Sequence, residues 1–162
     1  YLSHKPREFG PSPRFIELAG EINRAMPAYV VEQVVRALND ERKAVRGSKL
    51  LILGLAYKPD VDVARESPSF ELIEQLKALG ANIDYHDPHI PIAPKTRTHG
   101  LDLVGSSIEL TEHSLRNYDA VVIATHHSSY DWAWLGDHAR LIVDTRGVMK
   151  GLARSRARVV SA

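Results

Sequence analysis

The chain has 162 residues, 44% of them hydrophobic and 25% charged, with a formal net charge of +1 from 21 basic and 20 acidic side chains. That length fits one domain, or one domain and an appendage, and buries enough surface to fold without staples. The near-zero balance argues against a dedicated nucleic-acid binder. The absence of cysteine excludes disulfides, thiolate metal sites and cysteine nucleophiles within these residues.

Residues 1–12, "YLSHKPREFGPS", are broken by Pro6, Gly10 and Pro11 and read as an irregular lead-in. No secretory leader stands out, and a first residue of Tyr1 suggests a piece of something longer, in a cytoplasmic setting. Residues 13–46 form a helical segment. Phe15, Leu18, Ile22 and Met26, then Val30, Val34 and Leu38, recur at helical spacing. Pro27 predicts either a kink or a second helix that starts there. Helix over residues 13–40 would run roughly 42 Å at 1.5 Å per residue, more than a small domain needs. Part of it is expected to pack on a partner chain or another domain.

Residues 47–162 alternate strand and helix. "KLLILG" (49–54) is a buried strand. "SPSFELIEQLKALG" follows, with Ser67 as N-cap, Pro68 at the first helical position and Gly80 as the stop. "ANIDYHDP" gives a second strand ending near His86, and 88–106 a long connection with room for a short edge element. Residues 108–117 read as a helix, 120–124 as a strong strand, "YDWAWLGDHA" as a short helix and 140–144 as another strand. The tail from Lys150 is basic and expected to fray. No apolar run approaches the ~20 residues of a membrane span.

The fold class is therefore α/β: a Rossmann-like parallel sheet with helices on both faces, preceded by a long N-terminal helical segment. A 3-2-1-4-5 strand order would set the ends of the first and third strong strands side by side. Ligands bind in the crevice at such a switch point. Four turns face it: 54–67, 85–89, 125–131 and 144–147.

The first of these turns reads "GLAYKPDVDVARESPS" (54–69). It follows a strand and leads to a helix, yet only Gly54 fits a G-x-G-x-x-G phosphate turn. Lys58 can offer an anion a point charge instead, with Tyr57 to stack on a flat group. The competing reading is a solvated lysine and a tyrosine lid on the core. Arg65 could grip a phosphate bidentately or pair with Asp60, Asp62 or Glu66. Arg146, at the end of "LIVD", offers a second crevice cation or a salt bridge with Asp144. His86 and His89, and the adjacent His126 and His127, lack the ligand count of a metal centre, and no metal is expected. His126 and His127 are expected to line the crevice or cap the helix near Asp131. No nucleophile elbow or H-E-x-x-H appears, so no catalytic residue is assigned. Trp132 and Trp134 cannot both face the core of a short helix.

"ILGLAYKPDVDVARESPS", "YHDP" and "VDTRG", in that order and spacing, resemble the C-terminal domain of the UDP-glucose/GDP-mannose dehydrogenase family, NAD-dependent nucleotide-sugar 6-dehydrogenases of polysaccharide biosynthesis. "RFIELAGEINRAMPAYVV" resembles the central helix that joins the family's two domains and builds its dimer, closest to the UDP-N-acetylglucosamine/UDP-N-acetylmannosamine branch. The resemblance implies that residues 47–162 bind a UDP-sugar through Tyr57, Lys58 and Arg146. It assigns to Arg65 a contact with NAD across a domain interface, and to residues 13–40 a homodimer contact. It also implies that the dinucleotide turn, the catalytic lysine and the catalytic cysteine lie outside this chain, which would be inactive alone. The alternatives are a stand-alone flavodoxin-like interaction or regulatory module, or half of another nucleotide-binding oxidoreductase.

Overall fold

A computed structural model describes residues 14–94, 105–152 and 155–162. The expected lead-in at 1–12 and the middle of the 88–106 connection lie outside the described residues. In chain order the elements are α1 (Arg14–Asp40), β1 (Lys49–Leu53), α2 (Pro68–Ala78), β2 (Asn82–His86), α3 (Glu112–Arg116), β3 (Ala120–Ile123), α4 (Trp132–His138), β4 (Leu141–Asp144) and β5 (Arg158–Ser161).

The strands form one sheet in the order β2-β1-β3-β4-β5, parallel throughout. The expected neighbours β1 and β3 do lie side by side, with Leu53 opposite Ile123. The expected numbering 3-2-1-4-5 does not hold. Between β2 and β3 the described residues give only an isolated antiparallel bridge, Ile92 to Ser106, rather than a strand.

The apolar strands are buried on both faces, as a parallel sheet demands. Leu50, Ile52, Tyr85, Val122 and Val143 pack under α1 and α2, against Val34, Leu38, Phe70, Ile73 and Leu76. Leu51, Leu53, Val121, Ile123 and Ile142 pack on the other face, against Leu115, Tyr118, Leu135 and Met149. Trp132 and Trp134 both lean, half-buried, on that second core.

Pro27 neither ends α1 nor starts a new helix. It lies inside a single helix of 27 residues, about 40 Å at 1.5 Å per residue. Val30, Val31, Val34, Ala37 and Leu38 are buried beyond it. Before it the apolar stripe is open to solvent: Phe15 is 83% exposed, with Leu18 and Ile22 at 53%.

Ser67 caps α2 as expected, its hydroxyl accepting from the Ser69 amide, with Pro68 in the first turn. α3 is shorter than the expected 108–117. Thr111 and Ser114 form a reciprocal capping box that starts the helix only at Glu112. The tail expected to fray instead supplies β5, with Ile142 opposite Val159 and Val143 opposite Val160. Its basic residues hid a short strand that is anchored at one end: Arg158 bonds Asp40 at 2.5 Å and Glu41 at 3.1 Å.

Candidate functional site

The carboxyl ends of β1, β3 and β4 open onto a cleft of about 910 Å³, walled on one side by α1 and on another by the start of α2. Its lining includes Asn23, Arg24, Tyr57, Lys58, Thr145 and Arg146. Three of the four residues singled out in the sequence, Tyr57, Lys58 and Arg146, therefore share one cavity. Arg65 is not in its lining. It is exposed and makes no hydrogen bond or ion pair among the described residues, so the pairing with Asp60, Asp62 or Glu66 is not formed.

The turn after β1 is built by long-range contacts. Gly54 has φ +87°, and a Cβ there would come within 2.5 Å of Thr125. This glycine thus serves the close approach of the β3 end rather than that of a phosphate. The Leu55 and Ala56 amides, which point where a dinucleotide turn would offer N–H groups to an anion, donate to Oδ2 of Asp87 at 2.7 and 2.9 Å. An internal carboxylate thus occupies the backbone anion site. Any phosphate arriving here must be met by side chains.

Those side chains stand at the edge of the turn. Tyr57 is 50% exposed, and the Lys58 ammonium sits 5.8 Å from the centre of its ring. The Tyr57 amide donates to the Val63 carbonyl at 2.8 Å and closes the loop. Across the cleft, Asp144 does not form the considered salt bridge with Arg146. Its carboxylate accepts the amides of Arg146, Gly147 and Met149 at 2.8–2.9 Å. The Arg146 Nε donates to the Ala124 carbonyl at 2.6 Å, and Thr145 Oγ1 donates to the Ile123 carbonyl at 2.6 Å. The arginine is thereby aimed along the cleft wall.

Five lining residues come from α1, and two of them, Asn23 and Arg24, carry no mark in the sequence. Pro27 has no N–H to give to the carbonyl of Asn23 four residues earlier. Asn23 and its neighbour Arg24 both line the cavity. The charged lining is Arg24, Lys58 and Arg146 against Glu66 and Glu71. Nothing local in the helix pattern marks Arg24, because its role depends on where α2 and β4 fall.

The histidines divide. His126 is exposed, whereas His127 is fully buried and neither caps α4 nor lines the cleft. Asp131 is the cap, accepting from the Trp134 amide at 2.9 Å. His127 Nδ1 accepts the Asp60 amide at 2.9 Å, which leaves the proton on Nε2, 3.0 Å from Oδ2 of Asp87. Asp60, His89 and His127 place ligand-type atoms within 4.8 Å of one another. Both nitrogens of the buried His127 ring are already engaged, so the cluster is a hydrogen-bonded scaffold rather than a ready metal cage.

Burial opposes ionisation of Asp87. The amides of His89, Ala56 and Leu55 and the His127 ring outweigh it and hold the carboxyl below its ordinary range. Asp60 is lowered as well, chiefly by the Ser128 amide that donates to it at 2.8 Å. Burial pushes His86 down; its Nδ1 lies 3.1 Å from the Tyr130 hydroxyl.

Comparison with known proteins gives a consistent result. Residues 51–151 match the model of the UDP-glucose/GDP-mannose dehydrogenase family, UDP binding domain. The chain is 28% identical over 130 residues to a UDP-N-acetyl-D-glucosamine 6-dehydrogenase of Pseudomonas aeruginosa, covering 80% of this chain and 29% of that protein. It is 31% identical over 117 residues to a UDP-N-acetyl-D-mannosamine dehydrogenase of Methanococcus maripaludis, covering 72% of this chain and 24% of the relative. The solved structure of a UDP-D-ManNAc dehydrogenase from Pyrococcus horikoshii superposes with a TM-score of 0.71 at 25% identity, covering 94% of this chain and 34% of that one. The chain thus spans about a third or less of the length of these relatives.

Proposed function

The chain belongs to the UDP-glucose/GDP-mannose dehydrogenase family, and from that premise we propose that it is the UDP-sugar-binding portion of an NAD-dependent nucleotide-sugar 6-dehydrogenase. One observation carries the reading. The cleft at the β1/β3 switch point presents Lys58 and Arg146 as side-chain cations, while Asp87 holds the backbone amides of the turn. Such a cleft suits a diphosphate approached from two sides, with the Tyr57 ring available to a flat or sugar face.

The division of labour follows. NAD supplies hydride acceptance, in two rounds, for oxidation of a primary alcohol to a carboxylate. Amides occupied by Asp87 are unsuited to cradling a dinucleotide pyrophosphate, so this domain is not its main seat. Arg65, unpaired among the described residues and outside the cleft, is free to reach a cofactor held by another domain. Cysteine chemistry is unavailable to a chain without cysteine. The proposed tasks of these residues are to grip the diphosphate through Lys58 and Arg146, and to orient the sugar toward the rest of the enzyme. The exposed stripe Phe15, Leu18 and Ile22 on α1 is proposed to pack in a homodimer.

Calorimetry with UDP tests the site. Lys58→Ala and Arg146→Ala should each weaken binding about tenfold, the scale of one lost charge-assisted contact. Identical affinity in both variants overturns the assignment. The purified chain should produce no NADH from UDP-sugars.

A further inference from the structure

We propose that His127 is a positioning residue for the nucleotide site: it fixes the backbone of Asp60 and, through Pro59, sets where Lys58 meets a phosphate. This rests on the reading of the cleft as a UDP-sugar site.

Three observations carry it. First, the turn is held in a conformation it does not favour by itself. Asp60 has φ +60°, a left-handed backbone that is uncommon outside glycine. Second, its two polar ends are gripped by consecutive residues after β3. His127 Nδ1 takes the Asp60 amide at 2.9 Å, and the Ser128 amide and hydroxyl donate to the Asp60 carboxylate at 2.8 and 3.1 Å. Third, His127 is itself immobilised. It is fully buried, and its Nε2–H donates to Asp87, whose Oδ2 also holds the Leu55 and Ala56 amides. Asp87 thus fixes the start of the turn directly and its far side through the imidazole. Lys58 lies between these two anchors, and Pro59, with its restricted φ, is the one residue separating it from Asp60. The ring does not line the cleft. Its influence on a ligand passes through the turn alone.

The two ring nitrogens can be tested separately. In His127→Asn the amide oxygen can stand in for Nδ1 and keep the Asp60 contact while the bond to Asp87 is lost. In His127→Gln the amide nitrogen can stand in for Nε2 and keep the Asp87 bond while Asp60 is released. We expect His127→Gln to weaken UDP binding about tenfold, and His127→Asn to stay within about threefold of the parent, because misplacing a charged contact by about an ångström costs at least that much. In the Lys58→Ala background, His127→Gln should cost nothing further, since both act through one ammonium. A merely structural histidine would instead give losses that add. Uridine, which lacks phosphate, should bind all variants alike.

A folded His127→Gln protein that binds UDP like the parent overturns the proposal, as does an additive loss with Lys58→Ala. Should His127→Gln not fold, amide exchange on the parent decides. UDP should slow exchange of the Asp60 amide several-fold, because the coupling is reciprocal, and an unchanged rate overturns the proposal. A parent chain that binds no UDP overturns the functional reading and this inference with it. Binding that needs Lys58 but ignores His127 overturns the inference alone.

Discussion

Two turns flank the cleft, and each is organised by a buried aspartate that accepts backbone amides. At the end of β4 the aspartate is local: Asp144 holds the amides two, three and five residues further on. At the end of β1 it is remote: Asp87, at the end of β2, holds Leu55 and Ala56 from 32 and 31 residues away and reaches Asp60 through His127. A local turn forms whenever its strand forms. The remote one exists only once β1, β2 and β3 are assembled. The cation of the β4 turn, Arg146, is therefore placed by its own strand, and that of the β1 turn, Lys58, by the whole sheet.

The largest test of this contrast is removal of each carboxylate. Asp87→Ala strips acceptors from four buried or part-buried amides and the His127 ring, and should destabilise by about 4 kcal/mol. Asp144→Ala should cost about 2 kcal/mol, because it strips the acceptor from three amides, of which only that of Met149 is buried. Urea denaturation measures both, and equal losses would erase the distinction.

Next come the glycines. Gly54→Ala meets Thr125 atoms at 2.5 Å with φ +87°, and should cost about 3 kcal/mol by combining strain with overpacking. Gly147→Ala has φ +72° but no neighbour nearer than 3.8 Å, and should cost about 1 kcal/mol. Thermal melts of the pair separate crowding from backbone strain.

The smallest effect is in acid. His86 has its pKa lowered by burial, so an unfolded chain takes up that proton first, and stability should begin to fall below about pH 6.5. Asp87 and Asp60 are also lowered. Their contribution is present above the ordinary carboxylate value of 3.8 and is lost as pH drops through their folded values. A urea midpoint that declines in two stages, gently and then steeply, is expected. In Asp87→Asn the steep stage should be reduced.

Legibility in the sequence follows the same local–remote line. Ser67 with Pro68, the apolar strands and the β1/β3 crevice are local or periodic signals, and the structure has them. "VDTRG" places Arg146 at a strand end because Asp144 acts within five residues. By contrast, "HDP" and "HH" gave no hint that Asp87 and His127 bond to each other, because their contact spans 40 residues. Asp60, Asp62 and Glu66 stand close to Arg65 in sequence and read as its partners, yet Asp60 bonds Ser128 instead. Arg24 was invisible because a helix pattern marks faces, not what another element brings opposite them. β5 was missed because positive charge around a four-residue strand reads as a solvated tail.

That fifth strand has a practical side. The family match stops at residue 151, seven positions before β5 begins. A protein trimmed to that boundary would look complete by homology and yet turn β4, buried in the whole chain, into an edge strand whose backbone at Leu141, Ile142 and Val143 has lost its partner. It would also lose the clasp of Arg158 on Asp40 and Glu41, which stitches the end of α1 to the sheet. Exposed edges of that kind template sticking between copies. Anyone expressing or fusing this domain should keep residues 155–162, and a trimmed version that precipitates would be failing at its seam rather than at its cleft.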